Sequence, residues 1–234
     1  MNPLSLSGER SAIQVNEFVR SVYNWMFIGL CITGLVSFYV SGNKAVMQFL
    51  VQHRMVFFML LIAELALVIS IIGRLNRMSG ATATSLFILY SALNGVTLSF
   101  IFLAYANATI VSAFFICAGT FLACSIYGWT TKKDLTSVGS FFIMGLFGII
   151  IASLVNMFIN SSALHYMIGY IGVFVFVGLT AYDTQKIKEM AYTQPDGLEG
   201  DVVRKGAIIG ALRLYLDFIN LFLMLLRVMG GGRN

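Results

Sequence analysis

Long runs of apolar residues alternate with short polar connections along most of the chain. A helix needs about 20 mostly apolar residues to cross the hydrocarbon core of a bilayer. Read in this way, the runs predict spans at 23–40, 54–73, 84–106, 109–129, 138–159, 164–185 and 207–228. The pattern therefore predicts an all-α integral membrane protein with seven transmembrane helices.

The junction between the third and fourth runs is the one ambiguous point. Residues 105–108 leave room only for a turn, but a single helix over 84–129 is too long for one crossing of a core about 30 Å thick. We therefore predict a tight hairpin and two spans. Ser91, Gly95 and Ser99 recur on one face of the third span, which favours close packing against another helix.

The polar segment before the first run has its own pattern. Val15, Phe18, Val19 and Val22 fall at helical spacing among polar residues. This favours either a helix that lies on the membrane surface or a solvated extension. We therefore expect a cytoplasmic N-terminal segment at 1–22, a seven-helix transmembrane domain at 23–229 and a short tail at 230–234.

The composition excludes a water-soluble protein, since 59% of the residues are hydrophobic, 11% are charged and the mean hydropathy is +0.87. The net charge of +5 does not indicate nucleic-acid binding, because the basic residues flank apolar runs, as topology signals do. With the N-terminus in the cytoplasm, that side receives Arg10, Arg20, Arg74, Arg77, Lys132, Lys133, Lys186, Lys188, Arg204 and Lys205, and the other side receives Lys44, Arg54, Arg227 and Arg233. The excess predicts a cytoplasmic N-terminus and a C-terminus on the opposite side.

Apart from Arg54 and Arg227 at the ends of two runs, four charged residues stand inside the apolar runs: Glu64, Asp183, Arg213 and Asp217. An ionised side chain at the bilayer centre costs roughly 2.5–3.5 kcal/mol, so such residues usually face the helix bundle or water. Structural explanations exist for each acid. Arg213 and Asp217 are four residues apart and could pair within one helix. Asp183 could be a solvated acid at the membrane interface, and Glu64 a protonated, hydrogen-bonded core residue.

The functional alternative is that Asp183 and Asp217 face one another across the bundle. Two close carboxylates share one proton, and when they are deprotonated they offer the oxygen ligands that Ca²⁺ prefers. Arg74, at the end of the second span, could pair with Asp183 and hold a gate shut. One difficulty is depth, because Asp217 lies about 15 Å into its span and Asp183 only about a turn from the predicted end at residue 185. Direct pairing needs a longer sixth helix, a tilt or a wet vestibule.

Enzymatic motifs are missing from the sequence. The two histidines, His53 and His165, fall near the non-cytoplasmic ends of spans, and neither an H-E-x-x-H nor a G-x-S-x-G pattern occurs. We therefore expect no enzymatic activity and no permanently bound cofactor.

Three segments carry a family resemblance: SIYGWTTKKDLTSVGSF at 125–141, LTAYDTQKIK at 179–188 and ALRLYLDFINLFLMLLR at 211–227. The chain resembles the transmembrane Bax-inhibitor-motif family, and in particular its short bacterial members. The resemblance implies a fold whose last helix is central and wrapped by two three-helix layers. It also implies a pH-sensitive calcium leak in the bacterial inner membrane, with Ca²⁺ as permeant ion and protons as regulator.

The resemblance also implies roles for residues of this chain. Asp183 and Asp217 correspond to the aspartate pair that senses pH and contacts Ca²⁺ transiently. Glu64 is a candidate pathway acid and Arg74 a candidate latch, with Arg77 close enough to compete for that role. Arg213 departs from the family pattern and is a candidate modulator of Asp217.

Bacterial relatives are also associated with the restraint of a membrane quality-control protease. A non-channel regulator that binds such a protease is therefore the alternative function. The expected partners are the lipid bilayer, Ca²⁺ and, under the alternative, the protease.

Overall fold

The computed structural model describes residues 3–193 and 200–230, with side chains from Val15 onward. Within these ranges the chain is helical and contains no strand. The helices are α1 (Pro3–Gly42), α2 (Lys44–Gln52), α3 (Arg54–Arg74), a 3₁₀ turn (Leu75–Arg77), α4 (Gly80–Leu98), α5 (Ile101–Ala104), α6 (Asn107–Thr130), α7 (Thr136–Ile159), α8 (Ser162–Thr193) and α9 (Gly200–Met229). The predicted all-α class is confirmed.

Seven helical segments of the described residues are long and apolar enough to span a membrane. They are Val15–Gly42, Arg54–Arg77, Gly80–Ala104, Asn107–Thr130, Thr136–Ile159, Ser162–Thr193 and Gly200–Met229. The number of spans and the separate third and fourth spans agree with the prediction. The ends differ most where a helix continues through polar residues, as α8 does beyond residue 185.

The N-terminal face predicted from helical spacing belongs to α1, which runs without interruption from Pro3 to Gly42. Val15, Phe18 and Val22 are buried within the protein, so this face packs against other helices. Residues 231–234 of the predicted tail lie outside the described residues.

The chain forms two compact units. The first consists of Met1–Ala104 and Met190–Tyr215, and the second of Tyr105–Glu189 and Leu216–Asn234. Both α8 and α9 therefore contribute residues to each unit.

In the first unit, α1 and α4 approach closely along the small-residue face of α4. A Cβ atom added at Gly95 would lie 2.8 Å from the main-chain oxygen of Thr33 and 2.8 Å from Cβ of Val36. Ser91 and Ser99 on the same face are buried. The expected packing role of this face is confirmed, because only small side chains let two membrane helices come so close.

A short helix that the hydropathy pattern did not predict connects the first two spans. The side chain of Asn43 begins α2 by accepting hydrogen bonds from the main-chain nitrogens of Ala45 and Val46, at 3.1 and 3.2 Å. Met47 and Leu50 of α2 are buried in an apolar cluster with α1, α3 and α4. This amphipathic helix therefore packs its apolar face against the first unit.

In the second unit, α7 and α8 pack through glycines. A Cβ atom at Gly145 would lie 2.9 Å from Cγ2 of Val175, and the positions of Gly139 and Gly178 are occupied by the rings of Tyr182 and Phe142. These contacts pair early residues of α7 with late residues of α8, so the two helices run antiparallel.

The last span is the most buried one. In the most apolar 18-residue stretch of α9, 72% of the residues are buried. The corresponding share is 11–39% for the other six spans among the described residues. This agrees with the central last helix that the family resemblance implies. The two three-helix layers stay a prediction.

Candidate ion site

Asp183 lies well inside a helix in the structure. The sequence pattern ended the sixth span at residue 185, but α8 continues to Thr193, which places Asp183 roughly 15 Å from the helix end. Its side chain is half-buried. The predicted end of the sixth helix at residue 185 is therefore wrong, because the helix extends through the polar residues that follow it.

Asp217 is 5% exposed and lies in the middle of α9. Asp183 and Asp217 belong to the same unit of the fold. The relation between them can be read from the contacts between α8 and α9 within that unit.

Two glycines of α8 set the register against α9. A Cβ atom at Gly172 would lie 2.6 Å from Cγ of Met224, and one at Gly169 would lie 3.0 Å from Cγ2 of Val228. Earlier residues of α8 thus meet later residues of α9, so the helices are antiparallel. Extending this pairing places Asp217 beside residues 179–180 of α8, about 6 Å along the axis from Asp183.

The same contacts show which helix faces carry the two aspartates. Asp183 follows Gly172 by about three turns, and Asp217 precedes Met224 by about two turns. On straight helices, each aspartate would therefore be on the side of its helix that carries these glycine contacts.

A close approach of α6 supports the turn of α8 that holds Asp183. The position of a Cβ atom at Gly128 is occupied by the main-chain oxygen of Ala181, and Cβ of Thr184 is 3.0 Å away. The hydroxyl of Thr184 also donates to that of Ser125 at 3.5 Å. Residues on both sides of Asp183 are thus fixed against α6.

Gln185 ties α8 to the connection between α6 and α7. Its Nε2 donates to the main-chain oxygen of Lys133 at 2.8 Å, and its Oε1 accepts from the main-chain nitrogen of Leu135 at 2.8 Å. Gln185 is 7% exposed, so both bonds are shielded from water. Lys188 adds a third tie by donating to the main-chain oxygen of Trp129 at 2.6 Å. The polar residues after Asp183 therefore hold a loop in place.

Asp134, which precedes α7 and lies outside the spans, is expected to make the stability of the start of α7 depend on pH. Asp134 accepts a hydrogen bond from the main-chain nitrogen of Thr136 at 2.8 Å. Bonds from the side chain and main chain of Thr136 lower the pKa of this carboxyl. The pKa of Asp134 is therefore lower in the folded protein than in the unfolded chain. These hydrogen bonds stabilise the start of α7 at pH values above the unfolded pKa, and the stabilisation is lost as the pH falls through the folded pKa.

Acidification should therefore increase amide exchange at the first turn of α7, after correction for the intrinsic exchange rate. Asp134→Asn, measured by hydrogen-exchange mass spectrometry, should remove this acid-dependent increase. Equal responses of the parent protein and Asp134→Asn would contradict the assignment.

Glu64 belongs to the first unit, whereas Asp183 and Asp217 belong to the second. It is 8% exposed on α3. Its Oε2 accepts from Nδ2 of Asn94 at 3.2 Å, and its Oε1 accepts from the hydroxyl of Thr97 at 2.7 Å. Each carboxyl oxygen thus has a donor from α4, as a buried polar group requires.

The hydrogen bonds continue from Glu64 across the first unit. Oδ1 of Asn94 accepts from the hydroxyl of Tyr215 at 3.2 Å, and that hydroxyl lies 2.7 Å from the hydroxyl of Thr33. Tyr215 is fully buried. A single polar chain therefore links α3, α4, α9 and α1.

The arginines considered as latch or modulator, Arg74, Arg77 and Arg213, are exposed in the structure. Arg74 ends α3, and Arg77 ends the 3₁₀ turn that follows. Arg213 is exposed on α9, four residues before the buried Asp217. The latch and the modulator stay predictions.

Several of these residues were not selected from the sequence. Asn94 and Tyr215 occur in apolar runs, and a buried amide in such a run is a visible signal for a hydrogen-bonded partner. Gln185 stands in the LTAYDTQKIK segment, but its pairing with the main chain of a distant loop has no sequence pattern.

Comparison with known proteins places the chain in a family. Residues 15–234 match the Bax1-I family, described as inhibitor of apoptosis-promoting Bax1. The chain is 49% identical over 229 residues to the inner membrane protein YbhL of Escherichia coli, covering 98% of this chain and 97% of that protein. It is 47% identical over 232 residues to an uncharacterized protein of Borreliella burgdorferi, covering 99% of each chain.

A third relative, an uncharacterized protein of Deinococcus radiodurans, is 40% identical over 234 residues, which is 100% of this chain and 98% of that protein. Together with the seven apolar helices, these matches mean that the chain is a multi-pass membrane protein that belongs to the Bax inhibitor-like family, as its motifs indicated.

Proposed function

We propose that this protein is a pH-sensitive leak pathway for Ca²⁺ in the bacterial inner membrane, controlled by protonation of Asp183 and Asp217. It acts without catalysis and without a permanently bound cofactor. The observation that supports the proposal is the antiparallel packing of α8 and α9 in one unit, from which straight helices would carry both aspartates on facing sides.

The chemistry follows from two carboxyl groups in a poorly hydrated place. Two negative charges at short distance repel strongly where the dielectric constant is low, so the pair retains one proton between them. Loss of that proton leaves oxygen ligands suited to Ca²⁺. Protons and Ca²⁺ therefore compete for the same atoms.

Other charged residues complete the proposal. Arg74 pairs with Asp183 when that acid is charged and holds the pathway shut. Glu64 is a second acid of the pathway, and Arg213 modulates Asp217. The N-terminus is cytoplasmic and the C-terminus lies on the opposite side, following the distribution of basic residues.

Calcium flux into liposomes containing the purified protein tests the proposal. We expect the parent flux to change with pH by up to about tenfold per unit, the limit for one titrating proton. Asp183→Asn and Asp217→Asn should each flatten this response, since an amide does not titrate in this range. Asp134→Asn, on an exposed connection, is the matched control and should keep it.

An unchanged pH response in both Asp183→Asn and Asp217→Asn would remove the aspartate mechanism. Loss of the pH dependence of flux in Asp134→Asn as well would mean that the effect is not specific to Asp183 and Asp217. That result would also contradict the proposal. Retained elution volume and helix content define the variants that enter the comparison.

Restraint of a membrane quality-control protease is the second candidate function. The observation that favours it is the low burial of the second span, in which 11% of the most apolar stretch is buried. This span therefore offers a wide face to a partner helix. Co-purification of a protease from native membranes, followed by removal of residues 1–22, tests it. Lost protease regulation with intact flux would favour this role, and intact regulation in the Asp183→Asn variant would separate it from the leak.

A further inference from the structure

A groove of about 570 Å³ opens in the second unit between α6 and α7, with α8 as its floor. Its walls are mainly apolar and include Ala123, Val138 and Val177. This volume lies within the range of sites that bind small organic molecules, about 300–1,000 Å³. The groove is therefore large enough for part of an amphiphilic ligand.

The groove runs inward from the end of the spans. Its lining extends from Leu135, just before α7, to Phe142 of that helix, roughly 10 Å along the helix axis. The ring of Phe142 covers Gly178 of α8 and closes the floor at that depth. Val138 and Tyr127 are 45% and 50% exposed, so the open side faces the surroundings of two membrane spans.

Charged residues lie only at the outer end of the lining. Lys133 and Asp134, in the connection between α6 and α7, form this mouth. Within the side chains that the structure describes, the ammonium group of Lys133 makes no hydrogen bond or ion pair. The main chain of Lys133 is fixed by Gln185, so the loop that carries the ammonium group is held in place.

The acidic groups near the mouth are engaged elsewhere. Oδ1 of Asp134 accepts from the main-chain nitrogen of Thr136, and Glu189 pairs with Lys186 at 2.7 Å. Lys186 itself lies 5.6 Å from the ring centre of Tyr182, another lining residue. Lys133 is thus the lining cation with its charge available to a ligand.

We propose that this groove binds one membrane phospholipid, with an acyl chain between α6 and α7 and the phosphate at Lys133. The apolar walls suit a hydrocarbon chain, and the mouth lies at the span ends, where phosphates are found in a bilayer. A lysine near the membrane surface attracts the anionic group of a lipid. The site is separate from ion flux, and its test does not depend on the proposed leak.

Native mass spectrometry of the delipidated full-length protein in detergent measures binding directly. The probes are phosphatidylethanolamine and a diacylglycerol with the same acyl chains and no phosphate. We expect the parent to prefer phosphatidylethanolamine. Lys133→Glu should weaken this binding about fivefold or more, because it replaces attraction by repulsion at the phosphate. Lys132→Glu makes the same charge change outside the groove and should bind as the parent does.

A second pair of variants tests the hydrocarbon part. Ala123→Trp fills the groove and should weaken phosphatidylethanolamine binding by a similar factor, whereas Leu122→Trp, on the neighbouring exposed position, should not. Equal binding of the two lysine variants, or of the two lipids by the parent, would overturn the phosphate assignment. Unchanged binding in a folded Ala123→Trp protein would overturn the groove as the lipid site. If Ala123→Trp does not fold, the surface variants at 132 and 133 still decide.

Discussion

Gly128→Ala is expected to lower the free energy of unfolding by about 2 kcal/mol, within the usual range for overpacking. The added Cβ atom would overlap the main-chain oxygen of Ala181 and approach Cβ of Thr184 to 3.0 Å. A main-chain atom cannot rotate away as a long side chain can, so α6 and α8 must separate locally. Equilibrium unfolding in mixed detergent micelles measures the change.

Gly119→Ala is the matched control on the same helix. A Cβ atom at Gly119 meets nothing within 4 Å. Since alanine favours a helix over glycine, the unfolding free energy of this variant should be unchanged or higher. Equal destabilisation by both substitutions would show that the contact of Gly128 with α8 has no special cost, contrary to our expectation.

The Gly128 contact also bears on the proposed leak, because Ala181 and Thr184 flank Asp183 in α8. Separation of α6 from α8 would shift Asp183 relative to Asp217, which α9 carries independently. A destabilised but folded Gly128→Ala protein should therefore have a weaker pH response of Ca²⁺ flux than Gly119→Ala. The stability effect itself holds with or without the leak.

The hydrophobic pattern predicted the number of spans because membrane helices must satisfy every main-chain hydrogen bond internally and need long apolar runs. It did not predict where the helices end. Helical hydrogen bonds continue through polar residues up to Thr193 in α8 and from Gly200 onward in α9, and hydropathy does not record them. The short helix α2 was also missed, since nine residues with one apolar face do not form a span.

The candidate site was predictable in part for an energetic reason. Charged residues in apolar runs are costly, so Glu64, Asp183 and Asp217 could be selected from the sequence. Their depths and facing directions could not, because these depend on the register of α8 against α9. That register is set by contacts of Gly169 and Gly172, and glycines are too common in membrane helices to be selected by type alone.

The partners of Glu64 were unpredictable for a similar reason. Asn94 is an amide in an apolar run, which indicates some hydrogen bond but not its partner. Tyr215 stands beside the family motif and is easily taken for an apolar core residue. The structure unites them in one chain of hydrogen bonds, and the strength of that chain can be measured.

Asn94→Leu is expected to lower the unfolding free energy by about 1–2 kcal/mol. It removes the donor to Oε2 of Glu64 and the acceptor of the Tyr215 hydroxyl, which leaves two buried polar groups with lost bonds. Hydrogen bonds between membrane helices are individually weak, about 0.6 kcal/mol on average, so two lost bonds justify this range. Asn220→Leu is the control, because among the described residues the amide of Asn220 donates to the main-chain oxygen of Leu216 in its own helix, at 2.8 Å. Its loss should cost less than about 0.5 kcal/mol.

A double-mutant cycle with Tyr215→Phe then tests whether the bonds act as a chain. Both Asn94→Leu and Tyr215→Phe remove the hydrogen bond between the two side chains, so the double variant should lose less stability than the two single variants together. We expect a difference of about 0.5 kcal/mol or more, the size of one shared bond between membrane helices. Strict additivity would mean that Asn94 and Tyr215 act separately. A shared energy would instead show that the bond between Asn94 and Tyr215 stabilises the protein as one link of the polar chain that joins α3, α4, α9 and α1.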